Sequence, residues 1–216
     1  MDTEDTTKRE CPCLLTKTKN MSTFSLSTKP TNMKKWLIGS LVGAILIFLW
    51  QFLSWTVLQF HEAEAKYTPA QDSVLNYLSR TFNESGTYML PTVPPGASQD
   101  AMEELGKKMD GKPWATLTYR SSYMNSMTRP MIRGFLVDFV LVLCLIYLLT
   151  RAGTPVGVRI FAASIALGLI TFLWGPYTAH NWFQTPTADL KGHLIDSLVA
   201  WGLAGIWLGW WLNRGK

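Results

Sequence analysis

Three cysteines in 216 residues are too few for a disulfide framework, and two of them sit in the single stretch Cys11-Pro12-Cys13 with no second pair at zinc or redox spacing. The third, Cys144, falls inside an apolar run and reads as a small packing residue. Charged residues make up only 16% of the chain, which is sparse for a soluble domain of this size. The net charge of +5 does not indicate nucleic acid, because the basic residues are dispersed and no aromatic-basic motif accompanies them. There is also no phosphate-cradling glycine loop, no G-x-S-x-G elbow and no H-E-x-x-H signature, so the common nucleotide-binding, serine hydrolase and zinc protease patterns are excluded.

What the chain has instead is apolar length. Hydrophobic residues reach 48%, ten of them Trp, and the mean hydropathy of +0.10 hides strong segregation. A hydrocarbon core of about 30 Å needs about 20 apolar residues at 1.5 Å each. Four segments meet that length: Trp36 to Phe60, Ile132 to Thr150, Ile160 to Tyr177 and His193 to Leu212. Lys34 and Lys35 precede the first, Arg151 and Arg159 flank the link between the second and third, and Arg214 and Lys216 close the chain. By the positive-inside rule these flanks are expected in the cytoplasm, which places both termini inside and the His61 to Met131 loop outside. The expectation is a multi-pass protein of a bacterial inner membrane whose immediate partner is the lipid bilayer.

Residues 1 to 32 are rich in Ser, Thr and Lys with little apolar periodicity, the composition of a disordered leader. Met33, followed by two lysines and the first apolar run, has the form of a bacterial start, so the leader reads as a mis-assigned extension. The length of that run and the lack of a small-x-small cleavage site favour a retained anchor over a signal peptide.

A loop of about 70 residues is too long to be structureless in a compact protein. Within it "TPAQDSVLNYLSRTF" has helical apolar spacing with Thr68 as cap and Pro69 at the first helical position. "SQDAMEELGKKMDG" opens on a Ser98 cap with acids first and lysines last, the order that suits the helix dipole. "GTYMLP" and "WATLTYRSS" read as short strands. The fold class expected is therefore an all-α membrane protein, a four-helix transmembrane bundle with a small α+β extracytoplasmic cap.

The spans carry stripes of small and polar residues at three- and four-residue steps. They are Gly39, Gly43, Ile47, Gln51, Ser54 and Leu58 in the first; Ser164, Gly168, Thr171 and Gly175 in the third; and His193, Asp196, Ser197, Ala200 and Ala204 in the fourth. Small residues allow close backbone approach in lipid, so these stripes are the expected seams. Asp138 lies about two turns inside "MIRGFLVDFVLVLCLIYLLT", where facing lipid would cost roughly 2.5–3.5 kcal/mol. It is expected to turn inward into an intramembrane polar cluster with Asp196, Ser54, Thr171 and Ser197, as polar glue or as a functional carboxylate.

All three histidines, His61, His180 and His193, fall just beyond that level, with Glu62, Glu64, Asp189 and Asp196 in the same zone. His193 and Asp196 are three apart and can face one point, so His61, His180, His193 and Asp196 form a candidate metal set. The plainer expectation is an interfacial hydrogen-bond ring with no metal and no cofactor. Convergence of these side chains within about 4–5 Å would favour metal, since ligand bonds are near 2 Å. Trp36, Trp55, Trp174, Trp182, Trp210 and Trp211 sit where an aromatic belt belongs, while Trp50, Trp201 and Trp207 read as packing or lipid-facing residues.

"FLWQFLSWTVLQFH" at 48–61 and "GTYMLP" at 86–91, with the later spans, resemble a family of uncharacterised bacterial integral membrane proteins. Its marks are an F-x-W-x-x-x-S-W first helix and an outer G-x-Y-x-x-P segment. The resemblance implies fold and membrane location and carries no activity. Three functions follow from the residues: a non-enzymatic envelope anchor whose outer loop binds a protein partner, the leading expectation; a metal-dependent membrane enzyme using the His and carboxylate ring; and a small proton-coupled transporter acting through Asp138 and Asp196 as a homo-oligomer.

Overall fold

The computed structural model describes residues 33–153 and 156–214. The expectations about the first 32 residues, including Cys11 and Cys13, and about Lys216 lie outside them. Among the described residues, four helices are long and apolar enough to cross a membrane. They are α1 (Met33–Thr56), α4 (Thr128–Arg151), the continuous segment of α5 (Gly157–Phe172) and α6 (Thr178–Phe183), and α7 (Thr187–Asn213). Between α1 and α4 lie α2 (Gln71–Thr81), β1 (Gly86–Leu90), α3 (Gln99–Met109) and β2 (Ala115–Tyr119).

The spans pack as neighbours in the order α4, α1, α7, α5, with α1 against both α4 and α7 and α7 against α5. Small residues bring the axes together where the stripes predicted it. A Cβ at Gly43 would stand 2.8 Å from Val142 of α4, and one at Gly168 only 2.5 Å from the Ser197 carbonyl oxygen of α7. Gly205 is pressed in the same way on Ser164, at 2.8 Å. These positions accept no side chain, so close van der Waals contact replaces the hydrophobic drive that lipid does not supply. Gly175, at the end of the α5 stripe, meets nothing. The core between the spans is Ile47, Val142, Ile146, Ile160, Ala204 and Leu208, all buried.

At the end of the bundle away from the α2–β2 segment, here the basic end, α1 and α7 are lashed together. Lys35 Nζ donates to the Leu212 and Arg214 carbonyls at 3.2 and 2.9 Å, which meets the bare C-terminus of α7 with a cation. Trp211 Nε1 donates to the Lys35 carbonyl at 2.8 Å and Trp207 Nε1 to that of Gly39 at 3.0 Å. Trp207 is thus a hydrogen-bonded tie between spans rather than a lipid-facing ring. α5 runs into α6 through a single turn of π-helix, Leu173–Tyr177, because Pro176 has no N–H for the α-helical ladder.

The cap is a two-stranded antiparallel sheet with two helices. Register runs from Gly86 opposite Tyr119 to Leu90 opposite Ala115. Phe82 stacks on Tyr88 at 3.8 Å and leans on buried Tyr119, giving the sheet a small aromatic centre. Ser98 caps α3 by accepting from the Ala101 N–H at 3.3 Å. Thr68 does not cap α2: its hydroxyl accepts from the Ala70 N–H two residues on, a local turn that delays the helix to Gln71.

Candidate functional site

The first span ends at Thr56, four residues short of the Phe60 expected from hydropathy. The chain leaves the helix at Val57 and Leu58, whose N–H groups both bond the Leu53 carbonyl, and then Gln59 adopts a left-handed conformation with φ 52°. A non-glycine residue there carries strain, of the kind found where a structure holds a segment against its preference. The reversal brings the Phe60 N–H back to the Ser54 carbonyl at 3.2 Å and lays His61 over the end of α7. Gly192 makes room for it, since a Cβ there would stand 2.7 Å from the Phe60 oxygen and 3.0 Å from His61 Cε1.

His61 is buried, and its ring lies flat on Trp55 with centroids 4.0 Å apart and planes within 5°. Both of its nitrogens face carboxylates. Nδ1 is 2.5 Å from Glu64 Oε1 and Nε2 is 2.8 Å from Asp196 Oδ2. The same Glu64 oxygen is 3.2 Å from His193 Nε2, and the two imidazole rings are 4.9 Å apart. Asp196 is fixed from the other side by Trp50, whose indole N–H donates to Oδ1 at 3.1 Å. Trp50 therefore orients the site rather than merely filling space.

His61, Glu64 and His193 each offer a ligand atom, and these atoms lie within 4.8 Å of one another. The convergence stated above as favouring metal is met by His61 and His193. Glu64 completes the set in place of His180, whose Nδ1 instead lies 2.5 Å from the Thr185 carbonyl oxygen. Asp196 faces the far nitrogen of His61. A carboxylate bonded to the outer N–H of a histidine fixes its tautomer and ring orientation and makes the inner nitrogen a better ligand. With both imidazoles neutral the four groups carry two negative charges, the complement of a divalent cation. Burial pulls the His61 imidazole toward its neutral form, but the hydrogen bonds and charges of Glu64 and Asp196 outweigh it and raise the group above its ordinary value of 6.5.

The residues named for the intramembrane cluster are spread along this level. Asp138, Thr171, Asp196 and Ser197 line one cavity. Asp138 is buried and accepts from Gln51 Nε2 at 3.4 Å through Oδ1, so its partner is Gln51. Thr171 turns its hydroxyl to the Gly168 carbonyl at 2.8 Å, and the buried Ser54 hydroxyl has no partner among the described residues. Sequence reasoning put Glu64 in this zone but outside the metal set, and gave Gly192 no role. The signal was there in Glu64 lying three residues after His61, the same step that joins His193 to Asp196. No protein-family model, curated protein or solved structure matches the chain.

Proposed function

We propose that this integral membrane protein is a metal-dependent membrane enzyme whose divalent transition-metal ion is held by His61, Glu64 and His193. The observation that carries the reading is the coincidence of three converging ligand atoms with a carboxylate, Asp196, on the far nitrogen of His61. Two imidazoles and one carboxylate form a catalytic rather than a structural set, because three protein ligands leave a tetrahedral ion one open position. Such an ion supplies Lewis-acid activation for hydrolysis. The chain's own part is to hold His61 by Trp55 stacking, fix its tautomer through Asp196, and open His193 onto the adjoining cavity.

The test is elemental mass spectrometry on the full chain, purified without chelator or a polyhistidine tag and then incubated with zinc. Close to one ion per chain is expected, and a Glu64→Gln, His193→Ala double variant should lose it. A parent that retains no ion after this treatment would return the site to an interfacial hydrogen-bond ring. In that case the anchor reading leads, supported by the exposed Val74, Leu75 and Tyr77 of α2 and Met102 of α3, which are free to meet a protein partner.

A further inference from the structure

Two cavities meet beside α1 and α4. The larger, about 780 Å³, has Phe48, Phe52 and Leu141 on its apolar wall and reaches His193 and Asp196. The smaller, about 500 Å³, is flanked by Arg129 and Arg133 and shares Gln51, Pro130, Gly134 and Asp138 with the first. Gly134 places no side chain where they join, and nothing lies within 4 Å of where its Cβ would be. The larger volume falls in the range, roughly 300–1,000 Å³, in which proteins enclose small ligands. Both lie along helices apolar enough to span a membrane, so the molecules that reach them are amphiphiles.

The polar atoms say which amphiphile. Arg129 and Arg133 are exposed, one helical turn apart on one face, and among the described residues neither forms an ion pair. Paired guanidinium groups at the end of a membrane helix suit a phosphate, which they engage through two-pronged hydrogen bonds. Asp138 stands five residues further in, about 7.5 Å along the helix. It is only 5% exposed, and among the described residues its Oδ2 has no partner while it lines both cavities. A buried carboxylate oxygen without a partner calls for a donor from the ligand. A fully acylated glycerol backbone offers only ester oxygens at that depth, whereas a glycerol bearing one chain offers a hydroxyl.

We infer that the joined cavities bind a single-chain glycerophospholipid. Its phosphate lies between Arg129 and Arg133, its free glycerol hydroxyl donates to Asp138, and its acyl chain runs along Phe48 and Phe52. This deepens the reading above by naming the substrate class, and it rests on that reading for turnover alone, because binding needs no ion. His193 and Asp196 line the same larger cavity as Asp138, so the proposed metal site opens onto the cavity that holds the glycerol.

The experiment measures binding to the full chain in a detergent that is not a phospholipid, with chelator present throughout. The probes are 1-oleoylglycerol 3-phosphate, 1-oleoylglycerol and dioleoylglycerol 3-phosphate, followed by native mass spectrometry. The first is expected to bind about tenfold tighter than either of the others, the factor one good charge-assisted hydrogen bond supplies. Arg129→Gln with Arg133→Gln should erase the preference over oleoylglycerol, and Asp138→Leu the preference over the two-chain lipid. Both arginines are exposed, so their variant tests the phosphate position even where Asp138→Leu does not fold. Any other order of affinities in the parent, or an unchanged preference in the arginine variant, overturns the inference. Because chelator is present, such a failure leaves the metal reading standing, and a failure of zinc stoichiometry leaves the lipid binding standing.

Discussion

Gly192→Ala adds a single methyl group, and its effect can be worked from the contacts at the site. The new Cβ would start 2.7 Å from the Phe60 carbonyl oxygen and 3.0 and 3.1 Å from His61 Cε1 and Nδ1. Carbon and oxygen settle at about 3.3 Å or beyond, so the Phe60–His61 backbone must retreat from α7 by about 0.6 Å. Gln59, already left-handed, has little slack to absorb this. If the retreat is along the 2.8 Å bond between His61 Nε2 and Asp196 Oδ2, the pair opens to about 3.4 Å, past the range of a good hydrogen bond. Overpacking of this kind costs about 1–3 kcal/mol. Losing the carboxylate that orients a ligating histidine typically costs about 10–100-fold in metal affinity. The expected result is therefore a variant that folds, melts a few degrees lower and binds zinc at least about tenfold more weakly in a competition titration against a chromophoric chelator. Unchanged zinc affinity together with an unchanged melting point would show that His61 needs neither this backbone path nor Asp196, and the reasoning would fail.

Three further outcomes follow from the same structure. Asp138→Asn should fold in detergent because Gln51 can still bond it, while Asp138→Lys should lose most folded protein, since a cation at this depth costs about 2.5–3.5 kcal/mol; size-exclusion chromatography separates the two, and equal yields would place Asp138 in water. In chelator, where no ion competes, the raised His61 adds stability in full below its unfolded value of 6.5 and loses it as pH climbs through the folded value. The melting-temperature difference between the parent and His61→Gln should therefore shrink as pH is taken from below 6.5 into the alkaline range, and a difference that grows would reverse the sign. Ser98→Cys in the cap should react with an impermeant maleimide in intact spheroplasts, and labelling only after lysis would invert the expected topology.

The spans were legible because a bilayer imposes a length and a composition that hydropathy reads directly, and the seams because Gly43 and Gly168 have to be small for two backbones to touch. The cap strands were legible from their turn residues and aromatic content. What sequence could not supply was the direction of the chain past Thr56. Hydropathy counts Val57, Leu58 and Phe60 as membrane residues, whereas the turn at Gln59 is set by tertiary contact with Gly192. That turn decides where Glu64 lands, so the three-residue step from His61 to Glu64 was legible in the sequence while its convergence with His193 was not. His180 failed to join for a comparable reason: α6 ends in a left-handed Gln184, and the turn after it supplies the Thr185 carbonyl that His180 faces.

The lashing of Lys35, Trp207 and Trp211 has a consequence for biosynthesis. The first span is made before α7, with 168 to 179 residues between the bonded residues of the lashing. Until α7 is inserted, the Gly39 and Gly43 face of α1 can meet only α4, and the carbonyls of Lys35 and Gly39 wait without their indole donors. The far end of the same helix pair carries His61 and Asp196, 135 residues apart. A chain interrupted before α7 thus lacks both the lashing and the His61–Asp196 pair. Closure of α1 by α7 makes the His61–Asp196 pair conditional on the insertion of α7.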